Sequence, residues 1–226
     1  MGLFIFNSSI GRKLIMSISG LALILFLLFH SIMNIFVIFS PEIYDAICKF
    51  LGANWYALIA TMGLAFLFVV HIVYAFWLSL QNYIARGKER YAVKKNAPGV
   101  DWASQNMLVL GAIVLGFIAL HLFNFWYKMQ LQELLAKLNG EVLHVEGAAL
   151  VQELFASPVY CLLYIVWLAA LWFHLTHGFW SALHSLGGSN TVWLPRIKVI
   201  SNIFSTVIVL LFMAIPVYYL IINLLG

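Results

Sequence analysis

Five long apolar runs separated by polar stretches set the pattern of the chain: residues 14–39, 55–80, 105–127, 158–183 and 199–224. A helix rising 1.5 Å per residue needs about 20 apolar residues to cross the hydrocarbon layer of a bilayer. Each run therefore predicts a transmembrane helix. The expected fold class is an all-α membrane protein, a single domain over residues 1–226 with five spans. The segment 130–155 is too polar to enter lipid and predicts short helices on the membrane surface. Pro216, inside the fifth run, predicts a kink that neighbouring helices can accommodate.

Composition agrees with the pattern. The chain is 64% hydrophobic and 9% charged, whereas a soluble domain is about half apolar and about a quarter charged. The formal charge of +4 and the pI near 9.1 do not indicate nucleic acid, since no basic run carries interleaved aromatics. Trp55, Tyr56, Trp102, Trp126, Tyr127 and Trp193 sit where apolar runs end, as an interfacial belt requires. Cys48 and Cys161 form neither CxxC nor CxxCH, which excludes a thiol redox motif and covalent c-type haem. The first run is too long for a signal-peptide core and is expected to be a retained helix.

The loops orient the chain. Arg12 and Lys13 precede the first span, Arg86, Lys88, Arg90, Lys94 and Lys95 follow the second, and Arg196 and Lys198 precede the fifth. These nine basic residues face three on the alternate loops, Lys49, Lys128 and Lys137. Basic residues stay cytoplasmic, so the N-terminus is expected inside and the C-terminus outside, in the cytoplasmic (inner) membrane.

Five of the seven histidines lie within apolar runs: His30, His71, His121, His174 and His177. His144 falls in the polar segment and reads as solvated; His184 falls at the cytoplasmic end of the fourth span, where it would meet the interface, a haem propionate or a partner subunit. Ionisable groups inside lipid are costly and mark functional sites, and the first four spans each bury at least one. His30 is eighteen residues past Arg12, and His121 is twenty past Asp101, both on outgoing helices. His71 is fifteen residues before Arg86, and His174 is sixteen after Pro158, both on incoming helices. At the helical rise His30 lies roughly 27 Å from its cytoplasmic anchor, and His121 lies comparably far out. His71 and His174 lie nearer the cytoplasm. Two pairs at two depths match bis-histidine ligation of two b-type haems.

An internal repeat supports this pairing. His71-Ile-Val-Tyr-Ala-Phe-Trp and His174-Leu-Thr-His-Gly-Phe-Trp both fit H-x-x-x-[AG]-F-W, and Gly20 and Gly111 each lie ten residues before the histidine of their span. A small residue there would let a flat macrocycle approach the backbone. The repeat makes His174, rather than His177, the equivalent of His71. His177 becomes a candidate for a propionate hydrogen bond or for the wall of a quinone pocket.

The chain resembles the di-haem cytochrome b membrane-anchor subunit of succinate:quinone oxidoreductases, the succinate dehydrogenases and quinol:fumarate reductases. Leu28-Phe29-His30-Ser31-Ile32-Met33-Asn34 looks like the ligand motif of the first span, and Phe173-His174-Leu175-Thr176-His177-Gly178-Phe179-Trp180-Ser181 like that of the fourth. The likeness covers nearly the whole chain and lies in the ordered set rather than in any one motif. It implies a four-helix bundle of the first four spans, with His71 and His174 on the cytoplasmic-side haem and His30 and His121 on the outer one. It also implies a flavoprotein with covalent FAD, an iron–sulfur subunit docked at the cytoplasmic face, a quinone, taken as menaquinone, and a dimer of the heterotrimer. The Arg86–Lys95 and Arg196–Lys198 loops are candidate docking surfaces. Some relatives carry a proton-relay glutamate two residues before the fourth-span ligand; here Trp172 stands there.

Candidate quinone contacts are Glu42 and Asp45 in the outer loop, able to exchange protons, with Asn34 and Asn124 close behind the outer ligands. Candidate propionate contacts are Arg12, Lys13, Ser17 and Gln105. Two rival readings remain open from sequence: a di-haem cytochrome b serving a hydrogenase or formate dehydrogenase, and a haem-free transporter using the histidines as a proton or metal path.

Overall fold

The computed structural model describes residues 8–86, 102–188 and 190–225, with the backbone alone for Ala53 and Arg86. Lys88, Arg90, Lys94, Lys95 and Asp101 lie outside the described residues. Regular structure among the described residues is entirely helical, and five helices are long and apolar enough to cross a membrane. The chain is built as a multi-pass membrane protein.

The first span is α1 (Ser9–Asn34), continued after Ile35 by the single turn α2 (Phe36–Phe39). Ser8 caps α1, its hydroxyl accepting from Gly11 N at 2.9 Å. Ser40 and Pro41 then start the surface helix α3 (Pro41–Ala53), with Pro in the first turn where its missing N–H costs nothing. The second span is α4 (Trp55–Arg86). A short α5 (Trp102–Gln105) leads into α6 (Met107–His121), whose continuation Leu122–Trp126 is a π-helical turn. Two short helices follow, α7 (Gln130–Leu138) and α8 (Gly147–Phe155), before the fourth span α9 (Pro158–Ser185) and the fifth, α10 (Trp193–Leu225).

Several helices outrun the apolar runs. The first begins at Ser9 rather than 14, the second continues to Arg86 rather than 80, and the fifth begins at Trp193 rather than 199. Apolar composition marks the part of each helix suited to lipid, whereas the helix itself persists through the charged residues beyond it. The fifth helix is unbroken through Pro216, which is buried.

The five spans do not contribute equally to the interior. The helix α9 packs against α10, α1 and α6, and α1 packs against α4, α9 and α10; α4 and α6 barely touch. The α9–α10 pair is the most extensive contact. Small Ser201 and Ser205, one turn apart and fully buried, let α10 approach closely. Trp172 Nε1 of α9 donates to Thr206 Oγ1 of α10 at 2.9 Å, so Trp172 serves as an interhelix tie. By contrast α4 buries no residue in its apolar window and presents Ile59, Met62, Phe66, Val69 and Val73 outward.

The end of the molecule holding Ser9 is the near end, and the opposite one is the far end. The far end is closed by α3 and α8. Asp45 accepts from Ala148 N at 2.8 Å in the first turn of α8. A Cβ at Gly147 would come within 2.8 Å of Cys48 Sγ and 3.1 Å of Tyr44, so only glycine permits this approach. Leu150, Val151 and Phe155 of α8 are buried, and Asn223 of α10 donates to the Phe155 carbonyl at 2.8 Å. The segment 130–155 does form short helices, as expected, but α8 is packed into the structure rather than lying free on a surface.

A candidate cofactor site built on paired histidines

Four spans bring four histidines together as two facing pairs. The rings of His30 (α1) and His121 (end of α6) have centroids 5.9 Å apart with planes at 89°. Those of His71 (α4) and His174 (α9) are 6.4 Å apart at 69°. These are the pairs expected from depth along the chain. Metal–imidazole bonds of about 2 Å on either side of one ion separate ring centroids by roughly 6 Å, so both spacings suit a shared metal. No group of three or more metal-ligating side chains occurs among the described residues. Each site thus offers two histidine ligands, the number that a macrocycle supplying four nitrogens leaves open.

The near pair is framed by glycine. A Cβ on Gly20 of α1 would lie 3.4 Å from His71 Cε1, and one on Gly111 of α6 would lie 3.6 Å from His174 Cε1. The two glycines of the repeat therefore serve the histidine of the neighbouring span, not that of their own. Nδ1 of both rings is buried without a hydrogen-bond partner, and the Met16 backbone of α1 lies beside the His71 ring. His177, one turn beyond His174, packs its ring edge-on to Trp180 at 5.0 Å.

Aromatic and amide side chains surround the far pair. Phe26 stacks on His30 at 5.1 Å, and Phe212 of α10 reaches it at 5.5 Å. Phe117, Phe125 and Tyr164 surround His121 at 5.9, 5.1 and 6.4 Å. Asn34 Nδ2 donates to the His30 carbonyl at 2.7 Å and lies 3.1 Å from His30 Nδ1. Tyr44 of α3 donates to Asn34 Oδ1 at 3.1 Å. On the other side, Asn124 donates to Tyr164 Oη at 3.2 Å. Asn124 sits in the π-helical turn, whose extra residue per turn rotates it inward; it is 3% exposed. Such turns recur at functional sites.

An open pocket of about 190 Å³ adjoins this region, lined by Phe123, Asn124, Lys128, Leu150, Glu153, Leu154, Ser157 and Tyr160. Of the predicted quinone contacts it takes Asn124 alone. Asn34 is engaged with His30, and Asp45 caps α8. Glu42 is exposed beside Ser40, and hydrogen bonds from its own backbone N–H and from the Ser40 hydroxyl hold its carboxyl below the usual range. That disfavours proton uptake near neutrality.

At the near end, Ser17 is buried one turn from Gly20 on the same helix face. The Arg12 Nε is buried without a partner. With the Gln81 amide turned to suit its neighbours, its oxygen accepts from Arg12 at 2.9 Å and from Trp77 Nε1 at 2.7 Å. Lys13 and Gln105 are exposed. Sequence reasoning missed Tyr44, Tyr164 and Glu153. Tyr164 could have been suspected, since it falls within an apolar run; the others meet the site only through the packing of α3 and α8.

No known protein family, curated protein sequence or solved structure matches this chain.

Proposed function

We propose that this chain is the membrane-anchor cytochrome b subunit of a succinate:quinone oxidoreductase, carrying electrons through two b haems between an iron–sulfur subunit and a membrane quinone. One observation carries the reading: histidines from four separate spans face each other as two pairs spaced for a shared metal, at two depths. When bound, haem supplies a one-electron carrier at each pair.

The chain's own residues then have definable work. His71 with His174, and His30 with His121, would hold the two haem irons. Gly20 and Gly111 border the near pair, where an added Cβ would touch the imidazole at van der Waals distance and a branched side chain would compete for that space. Arg12 and Ser17 suit carboxylates at the near end, since a buried guanidinium nitrogen without a partner favours a charge-assisted hydrogen bond. At the far end Phe123, Leu150 and Leu154 suit the apolar body of a quinone. Asn124, Ser157 and Tyr160 suit its carbonyls, and Glu153 and Lys128 can exchange its protons. The dicarboxylate chemistry belongs to a flavoprotein partner with covalent FAD. Docking would use the cytoplasmic face, which carries Arg196 and Lys198, both beside tryptophan rings. The N-terminus would then be cytoplasmic, in the inner membrane, with menaquinone as the quinone.

Purification of the chain with its native partners tests this. A copurifying subunit with covalently bound flavin, and succinate:quinone activity lost on changing Glu153 to Gln, are expected. Copurifying nickel or molybdenum would instead assign it to a hydrogenase or formate dehydrogenase.

A further inference from the structure

Among the four paired histidines, His30 alone has a side-chain partner at Nδ1. That partner, Asn34, contacts His30 twice, at the carbonyl (2.7 Å) and at Nδ1 (3.1 Å). It is itself held by Tyr44, which belongs to the surface helix α3 rather than to a span. Tyr44 is buried, packed in the cluster of Val37, Phe117, Val151, Phe155, Cys161, Tyr164 and Ile215. Burial pushes its hydroxyl pKa up, so it remains a protonated donor at any physiological pH. Nδ1 of His71, His121 and His174 is buried without a partner.

We infer that Asn34 is a positioning residue for His30, and that Tyr44 locks it, so that the surface helix α3 tunes the far haem and not the near one. The inference rests on the haem reading above. Its chemistry follows from the donor inventory. In the geometry seen, the amide N–H₂ faces Nδ1, which accepts when the ring proton is on Nε2. Once Nε2 is committed to a metal, Nδ1 carries the proton and needs an acceptor. An amide meets that need by turning its oxygen to the ring, giving up its bond to the His30 carbonyl, and a tyrosine hydroxyl can accept from the nitrogen as readily as it donates to the oxygen. The Asn34–Tyr44 pair can therefore partner Nδ1 of His30 in either state, which neither an apolar residue nor a lone carboxylate could do. An acceptor on the distal ring nitrogen makes the ligand more basic, and hydrogen bonding around axial ligands sets the potential.

Redox titration of the complex purified from membranes, with low-spin resonance spectra of both haems, tests this. The far haem is identified as the signal lost in His121→Leu. Asn34→Leu should move its midpoint upward by removing the acceptor, and Asn34→Asp should move it downward by supplying a stronger one. Tyr44→Phe should shift it upward by less than Asn34→Leu, and the near haem should keep its wild-type midpoint throughout. Should Asn34→Leu fail to assemble, Asn34→Asp and Tyr44→Phe retain the opposed signs. Shifts of one sign in all variants, equal shifts in both haems, or no shift would overturn the inference. A wild-type complex without b haem would instead remove the reading on which it rests.

Discussion

The two histidine pairs meet the same requirement in contrasting surroundings. The near pair is bordered by glycines, on α1 and α6, and its ring nitrogens at Nδ1 have no partners. The far pair is enclosed by Phe26, Phe117, Phe125, Tyr164 and Phe212, and one of its rings is hydrogen-bonded. The near pair relies on α4, which buries nothing in its apolar window; the far pair is closed by α3 and α8. The lesson is that small residues border the near histidines, whereas aromatic and amide side chains enclose the far ones. Each aromatic pair adds about 0.5–1.5 kcal/mol beyond burial, so the far site should be the better ordered of the two before any cofactor binds.

That contrast can be broken by substitution. The largest effect is expected from His71→Leu or His174→Leu, which should abolish one of two haems and leave the other. His177→Leu should leave both, as counted by haem content per chain. Next, Gly111→Val should lower near-haem occupancy, because the methyl groups beyond its Cβ, itself already in contact with His174, would crowd the ring. Gly116→Val, on the same helix with open space around it, should leave both haems. Equal loss in the two valine variants would remove the shape argument. A smaller effect is expected from Tyr164→Phe, which leaves the buried Asn124 amide without its partner. A stability loss of about 1 kcal/mol or less is expected for one interhelical hydrogen bond in a membrane, read as a modest fall in thermal midpoint. The smallest concerns the far-end cap. Burial pushes the Cys48 thiol up to about 11, with Asp45 and Glu133 adding to the rise and the Tyr44 hydrogen bond opposing it. Alkylation of Cys48 should therefore be slow at pH 8 and rise steadily toward pH 11, following the thiolate. Asp45→Ala, by loosening α8, should speed it at fixed pH.

Much of this was legible in the chain. Five spans follow from apolar length alone, and the histidine pairing follows from counting residues at a fixed rise, because a straight helix turns sequence distance into depth. Packing partners were not legible. The first four spans touch as α1 against α4, α9 against α6 and α1 against α9, and the fifth, α10, packs against both α1 and α9 and is tied to α9 through Thr206. Nothing in an apolar helix's sequence says which neighbour it will choose. Nor could spacing place Gly20 beside His71 rather than near its own His30, since that contact crosses between helices. The polar residues of the far end were identifiable as polar, but only the tertiary course of α3 and α8 sorts Asp45 into a cap, Asn34 into a contact with His30 and Asn124 into a pocket wall.

The central claim is that each facing pair holds one haem. Its most direct test is a reduced-minus-oxidised spectrum with haem quantification on the purified wild-type protein and on His71→Leu and His121→Leu. The account predicts a b-type α-band with two haems per wild-type chain. Each variant should retain one haem, and the two remaining spectra should differ. A wild-type protein with no such band, or single variants that keep both haems at full occupancy, would contradict it.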